Sequence, residues 1–183
     1  MKSLFTGLLF LCMVPFIASS QRTQAIREYY QLTVYHYTTA QQEEELDRYL
    51  QNALIPALHK LQLMRIGVFK PLENDTAQQK KIYVLIPFRG LEQWAQLDQR
   101  LQQDIGYRHA AQNYMNAPNK AGVYDRMETI LMRSFSGAPV LEVPQLKGSK
   151  NDRVYELRSY ESSTEKRYRN KIQMFNKGNE IAI

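Results

Sequence analysis

Leucines at 46, 50, 54, 58 and 61 recur every three or four positions, the spacing of one apolar face on an amphipathic helix. Thr38 or Thr39 can cap its start, and Glu43, Glu44 and Glu45 then fall near the positive end of the helix dipole. Pro56 interrupts the pattern. Because proline lacks a donor and crowds the preceding turn, the helix is expected to kink or divide near Ile55. A second helical pattern runs through Leu91, Trp94, Leu97, Leu101 and Ile105. It is expected to break at Gly106, resume through His109 to Met115, and end in the stretch from Asn116 to Lys120 that holds Pro118.

Period-two segments lie between and around these helices. Tyr29 to Tyr37 is rich in Tyr, Thr and Val without Gly or Pro, which is strand composition. Alternation places Tyr30, Leu32, Val34 and His36 on one face and Gln31, Thr33, Tyr35 and Tyr37 on the other. Arg65 to Lys70 reads as a short second strand closed by Pro71. Lys81 to Phe88 is almost continuously apolar, as a central strand covered on both faces would be, with Pro87 near its end. Tyr124 to Phe135 is the fourth strand, with Met127, Thr129 and Leu131 on one face and Glu128, Ile130 and Met132 on the other. The order strand, helix, strand, strand, helix, strand predicts an α+β protein, a ferredoxin-like βαββαβ sandwich with both helices on one face of an antiparallel sheet. Its other face needs a partner, which a second similar domain, in the same chain or in another copy, would supply.

The opening strand returns. Tyr30, Leu32 and Tyr35 recur as Tyr155, Leu157 and Tyr160, a single constant offset that is far longer than a solenoid period and suggests a duplicated domain. Each copy is followed by a charged, helix-like run. The division expected is a first domain over 27–136, a linker over 137–152 holding Gly137, Pro139, Pro144 and Gly148, and the start of a second, partial copy over 153–183. One strand and one helix cannot bury a complete core, so 153–183 is expected to pack on the first domain's open face.

Composition changes the picture at the N-terminus. Lys2, an apolar run from Leu4 to Ile17 and then Ala18-Ser19-Ser20 have the outline of a signal peptide over 1–20, so the chain is expected to be exported, to a periplasm or the extracellular space. The run is shorter than the roughly 20 residues that cross a bilayer, and no stable membrane span is expected after processing. Processing would also remove Cys12, the only cysteine, and with it any thiol chemistry. Leu11 is too bulky for a lipoprotein signal. The net charge of +6 is scattered among acidic residues, so no nucleic-acid partner is expected. The densest basic stretch, Lys166 to Lys171, reads as a solvated helix face.

Little in the sequence announces chemistry. His36, His59 and His109 have no paired spacing, so no metal site is expected, although His36, lying between helix and sheet or reaching solvent at its strand end, could by itself serve as a haem or metal ligand. Gly67, Gly90, Gly106 and Gly122 are isolated, which leaves no phosphate loop and no nucleotide cofactor. Candidate ligand-pocket residues are those assigned to the open face: Tyr35 and Tyr37, with Thr33, from the first copy, and Glu156, Arg158 and Tyr160 from the second. Closing two copies into a barrel would point them inward, with Glu156 balancing the charge of Arg158. Their plainer role is a structural ion pair and aromatic packing between sheets, and the alternative is a small-molecule pocket.

Val154-Tyr-Glu-Leu-Arg-Ser-Tyr160 resembles the opening strand of the NIPSNAP domain, Tyr29-Tyr-Gln-Leu-Thr-Val-Tyr35 is a weaker version of it, and Phe175 to Ile183 resembles that family's first helix. The resemblance implies a dimeric α+β barrel of ferredoxin-like units, often in tandem, with no agreed set of catalytic residues. The family's biochemical role is poorly defined; the expectation here is a binding or interaction module, the rival being a barrel enzyme such as a small-molecule or haem-dependent monooxygenase. No cofactor follows from the residues themselves. Better-known members are associated with mitochondria and vesicle traffic, whereas this chain begins with an export-like segment.

Overall fold

The computed structural model describes residues 27–118, 122–149, 152–178 and 180–181. The expected signal peptide and Cys12 lie outside them. Four strands, β1 (Tyr29–Tyr37), β2 (Gly67–Phe69), β3 (Lys80–Phe88) and β4 (Arg126–Arg133), form one antiparallel sheet in the order β2-β3-β1-β4. This is the ferredoxin-like order expected from the element pattern. β2 is shorter than the sequence implied, with Gly67 at its start and Pro71 soon after it.

The first helical segment is divided where Pro56 requires. α1 (Ala40–Tyr49) passes through a wider π-type turn at Leu50–Leu54 into α2 (Ile55–Lys60), whose second residue is Pro56. A missing donor is tolerated in a first turn, and the wide turn before it relieves the clash that proline makes with the preceding carbonyl. Thr39, and not Thr38, is the cap: its Oγ1 accepts from the Gln42 amide at 3.1 Å, while Gln42 Oε1 accepts from the Thr39 amide at 3.0 Å. This reciprocal pair satisfies two amides that the helix cannot. Thr39→Ala is expected to cost about 1 kcal/mol, read as a lowered midpoint in urea.

The second helical segment is broken into α3 (Leu91–Ala95), α4 (Leu97–Gln103), α5 (Ile105–Ala110) and α6 (Gln112–Met115). Its main break is at Asp104, not Gly106. Asp104 is extended and its carboxylate accepts from the Tyr107 amide at 3.1 Å, a cap whose charge also suits the helix start. Rotating the chain there leaves Ile105 exposed and turns Tyr107 inward.

Leu46, Tyr49, Leu50, Ala53, Leu54 and Leu58 from the first segment join Leu97, Leu101 and Tyr107 from the second against Ile82, Val84, Ile86 and Phe88 of β3. The helices therefore cover one face of the sheet. On the other face β3 presents Tyr83 and Leu85, which are only half-buried, so this strand is covered fully on one side alone.

After β4 the chain turns back past the start of β1, and Glu28 holds it there. The Glu28 amide donates to the Pro139 carbonyl at 2.8 Å, its carbonyl accepts from the Ser134 amide at 2.9 Å, and its carboxylate accepts from the Leu141 amide at 2.7 Å and from Arg65. Beyond the linker, Val154 to Tyr160 makes no strand, and α7 (Glu165–Lys177) follows. Thr164 caps α7, accepting from the Arg167 amide at 3.3 Å. Thr164 stands to Thr39 at the same offset that relates Tyr155 to Tyr30. Lys166 to Asn170 are solvent-exposed.

Candidate functional site

Which face of β1 is open decides where the site lies. Tyr35 and Tyr37 were expected on the open face, but both are on the helix side, with exposures of 4% and 0%. Alternation separates two sets of side chains without saying which set meets the helices. Burial of two phenol rings settles it here, because Tyr35 and Tyr37 bring more apolar surface to the core than Leu32 or Val34 would. Their hydroxyls are satisfied internally: Asn74 Nδ2 donates to Tyr37 Oη at 3.2 Å and Tyr114 Oη to Tyr35 Oη at 3.4 Å. Thr33 goes with them to the helix side.

Around Tyr35 lies a group of five tyrosines. Tyr49 stacks on Tyr114 with ring centroids 3.6 Å apart, Tyr49 and Tyr107 share a hydroxyl hydrogen bond at 3.0 Å, and Tyr124 lies 5.6 Å from Tyr35. Burial pushes the Tyr35 hydroxyl up to about 12. Burial likewise raises Tyr49, Tyr107 and Tyr114, with neighbouring phenols adding to the effect at Tyr49 and Tyr114. These groups stay protonated and serve as core.

The face away from the helices carries Tyr30, Leu32, Val34 and His36, of which Leu32 and Val34 are also buried, at 7% and 6% exposure, and the strand register extends each into a row. Pro87, Tyr30 and Met132 form one end, followed by Leu85, Leu32 and Ile130, then Tyr83, Val34 and Glu128, and finally Lys81, His36 and Arg126. The face therefore grades from apolar to basic. At the basic end His36 is only 6% exposed. Its Nε2 lies 2.7 Å from Glu128 Oε1 and its Nδ1 3.2 Å from Gln79 Oε1. A carboxylate only accepts, so Nε2 carries the proton of that bond. Arg126 Nη2 approaches the same Glu128 oxygen at 3.5 Å. Among the described residues Lys81 Nζ has no ion-pair partner, and no group of three potential metal-ligating residues converges.

Sequence reasoning placed His36 on one face with Tyr30, Leu32 and Val34 but assigned that face to the helices. Glu128, Gln79, Lys81 and Arg126 are 43 to 92 positions from His36 or on other strands, and only pairing assembles them. The row of charges at the same end of three strands is a signal the strand patterns contained once their register was known.

Glu156, Arg158 and Tyr160 lie on the tail. Arg158 Nη2 donates to Glu156 Oε2 at 2.7 Å, as the expected charge balance requires, but both side chains are more than 60% exposed. Each holds the other in its charged form: the hydrogen bond with Arg158 lowers the Glu156 carboxyl, and the same bond raises Arg158. Tyr160 packs 5.4 Å from Phe175, and Lys171 Nζ sits 4.8 Å over its ring. Phe175 in turn stacks on Phe135 at 4.8 Å, just beyond β4. At the other side of the sheet Tyr155 meets Phe69 of β2 at 5.3 Å. The tail thus meets the sheet at Phe69 of β2, on the face opposite Tyr35 and Tyr37, and packs on Phe135 just beyond β4, so the five candidate residues do not converge.

No family model matches the chain, and no curated protein matches it. Solved structures do. A NIPSNAP family protein of unknown function from Agrobacterium tumefaciens shares 14% identity over 60% of this chain and 90% of its own, with a TM-score of 0.45. An uncharacterized NIPSNAP-like domain protein from Burkholderia xenovorans shares 14% identity over 67% of this chain and 97% of its own, with a TM-score of 0.48. A dimeric ferredoxin-like protein from an uncultured marine organism shares 10% identity over 66% of this chain and 94% of its own, with a TM-score of 0.43.

Proposed function

We propose that this chain is an exported, NIPSNAP-like binding or interaction module whose open sheet face pairs with a second ferredoxin-like sheet. The observation that carries this reading is the unequal treatment of the two faces. Helices bury Ile82, Val84, Ile86 and Phe88, while across the sheet Leu32 and Val34 of the central strand are buried but Tyr83, Leu85, Ile130 and Met132 beside them keep contact with solvent. Apolar side chains arrayed on one flat face are what a second sheet buries. Pairing would also enclose the basic end of the face, where a small ligand could be held between sheets. The export part rests on Lys2, the apolar run and Ala18-Ser19-Ser20. The repeated strand, with Thr39 and Thr164 as matching caps, supports tandem ancestry of the two segments.

Sedimentation of the processed chain at micromolar concentration is expected to give a dimer. Leu85→Lys, which puts a charge in the middle of the face, is expected to return it to a monomer with unchanged circular dichroism. A wild-type chain that sediments as a monomer would remove the second copy as the partner sheet.

The His36–Glu128 pair favours one other reading, a barrel enzyme. A histidine held by a carboxylate is arranged as a general acid or base when a reacting group can reach it. Native mass measurement of the purified chain distinguishes the two, since an enzyme of the haem-dependent kind would carry its group and show a Soret band.

A further inference from the structure

Val154 to Tyr160 has the sequence of a central strand and the surroundings of none. Its counterpart, Tyr29–Tyr37, is hydrogen-bonded on both sides, to β3 and to β4. Val154, Tyr155, Leu157 and Tyr160 are instead 45–67% exposed and the segment pairs with nothing among the described residues. Tyr155 rests by β2 and Tyr160 by Phe175, beyond β4. Phe69 is in register with Glu128 of β4, seven positions before Phe135, on which Phe175 stacks, so the segment runs obliquely from one edge of the sheet towards the other and does not join the ladder of its own copy.

The sheet has a matching vacancy. β4 is an edge strand of eight residues, and Met127, Ile130 and Leu131 on it are 40–44% exposed. A long apolar edge is a template for an incoming strand. Laying Val154 to Tyr160 antiparallel on β4 with Arg158 opposite Glu128 covers residues 126–132 completely. That frame also puts Val154 opposite Met132 and Tyr160 opposite Arg126 on the open face, and Tyr155 opposite Leu131 on the other. Slipping by two residues one way sets Arg158 against Arg126 and Glu156 against Glu128, two like-charge pairs that disfavour it, and slipping by two the other way sets Arg158 against Ile130 and carries Val154 past Arg133, the end of β4. Slipping by one turns Arg158 to the wrong face. A parallel arrangement that keeps Arg158 opposite Glu128 leaves Val154 and Tyr155 hanging beyond the start of β4.

We propose that two copies of this chain exchange Val154–Tyr160, each segment adding antiparallel to the β4 edge of the other copy. The exchange takes Arg158 of one copy to Glu128 of the other, beside His36, so that the polar end of the open face is completed by a residue from the second copy. Arg158, which in one copy pairs only with Glu156 in solvent, then gains a carboxylate that already holds a buried histidine. The inference shares with the sheet-pairing reading only the second copy; it concerns the edge, not the face.

The test mixes two singly substituted chains on a Cys12→Ser background, one carrying Leu131→Cys and the other, mass-tagged, carrying Tyr155→Cys. Mixed oxidation is expected to give a heterodisulfide for this pair or for Met132→Cys with Val154→Cys, since adjacent pairs alternate between close and wide spacing. Met127→Cys with Tyr155→Cys, displaced by about 13 Å along the strand, is expected to give at least tenfold less. Equal yields in and out of register, or no heterodisulfide in either in-register pair, overturn the exchange. If the wild type still sediments as a dimer in that case, face pairing stands alone. A heterodisulfide that persists in chains also carrying Leu85→Lys establishes the exchange without the face.

Discussion

Above about pH 10 this protein is expected to lose stability steeply and unfold as its tyrosines ionise. The direction follows from linkage. In the unfolded chain a tyrosine hydroxyl loses its proton near pH 10, whereas burial holds Tyr35 until about 12 in the folded chain. Below the unfolded value both states are protonated and the native advantage is complete; as pH rises towards the folded value only the unfolded state releases its proton, and the advantage is lost. Holding that proton from about 10 up to about 12 corresponds to about 3 kcal/mol from this one residue. Tyr49, Tyr107 and Tyr114 are shifted in the same direction and stack or hydrogen-bond within the same group, so the loss is shared and large. Melting temperature followed against pH is expected to fall from about pH 10. Tyrosinate absorbance should rise in two stages, with the later one, from the buried group, coinciding with loss of far-ultraviolet circular dichroism. Ionisation of all 12 tyrosines in one stage with the fold intact would show the cluster to be open to water.

Glu28→Ala is expected to destabilise the chain by about 3 kcal/mol and to loosen the linker with it. Glu28 is 4% exposed. Its carboxylate is shared between the Arg65 guanidinium and the Leu141 amide, and losing it leaves that amide without an acceptor and Arg65 with the Leu141 carbonyl as its remaining partner. The expected loss sits at the lower end of the range for broken buried pairs because Arg65 is 40% exposed and can be rehydrated. Two measurements check this. A urea midpoint gives the global loss, and limited proteolysis is expected to cut between Pro139 and Lys147 faster than in the wild type, because Glu28 is what pins Leu141 to the start of β1. A change below about 1 kcal/mol with unaltered cleavage would mean that the backbone bonds at Ser134 and Pro139 hold the turn without the carboxylate.

The elements were legible because their patterns are local. Leucine spacing and Pro56 specify a divided helix, and Tyr29–Tyr37 alternates without a breaker. Boundaries shifted where one side chain competes with the backbone: Asp104, two residues before the expected glycine, captures the Tyr107 amide and ends α4 there. The candidate site was legible only in its parts. His36 was visible as a strand histidine, but its partners Gln79 and Glu128 reach it through strand pairing over 43 and 92 positions. Tyr35 and Tyr37 were read onto the wrong side because alternation is blind to a reflection of the sheet. The tail shows the reverse case: Val154 to Tyr160 has strand composition, yet a strand needs a neighbour, and among the described residues of one copy none is in place.

Composition and periodicity by themselves determined the ferredoxin-like order of strands and helices, since each depends on contacts a few residues apart. Tertiary structure alone decided that the helices rest on Tyr35 and Tyr37, and that Lys81, His36, Arg126 and Glu128 meet at one end of the face away from the helices. The reason is that covering a sheet is a comparison of two whole surfaces, made by the bulk of residues distant in the chain, and no local window contains both.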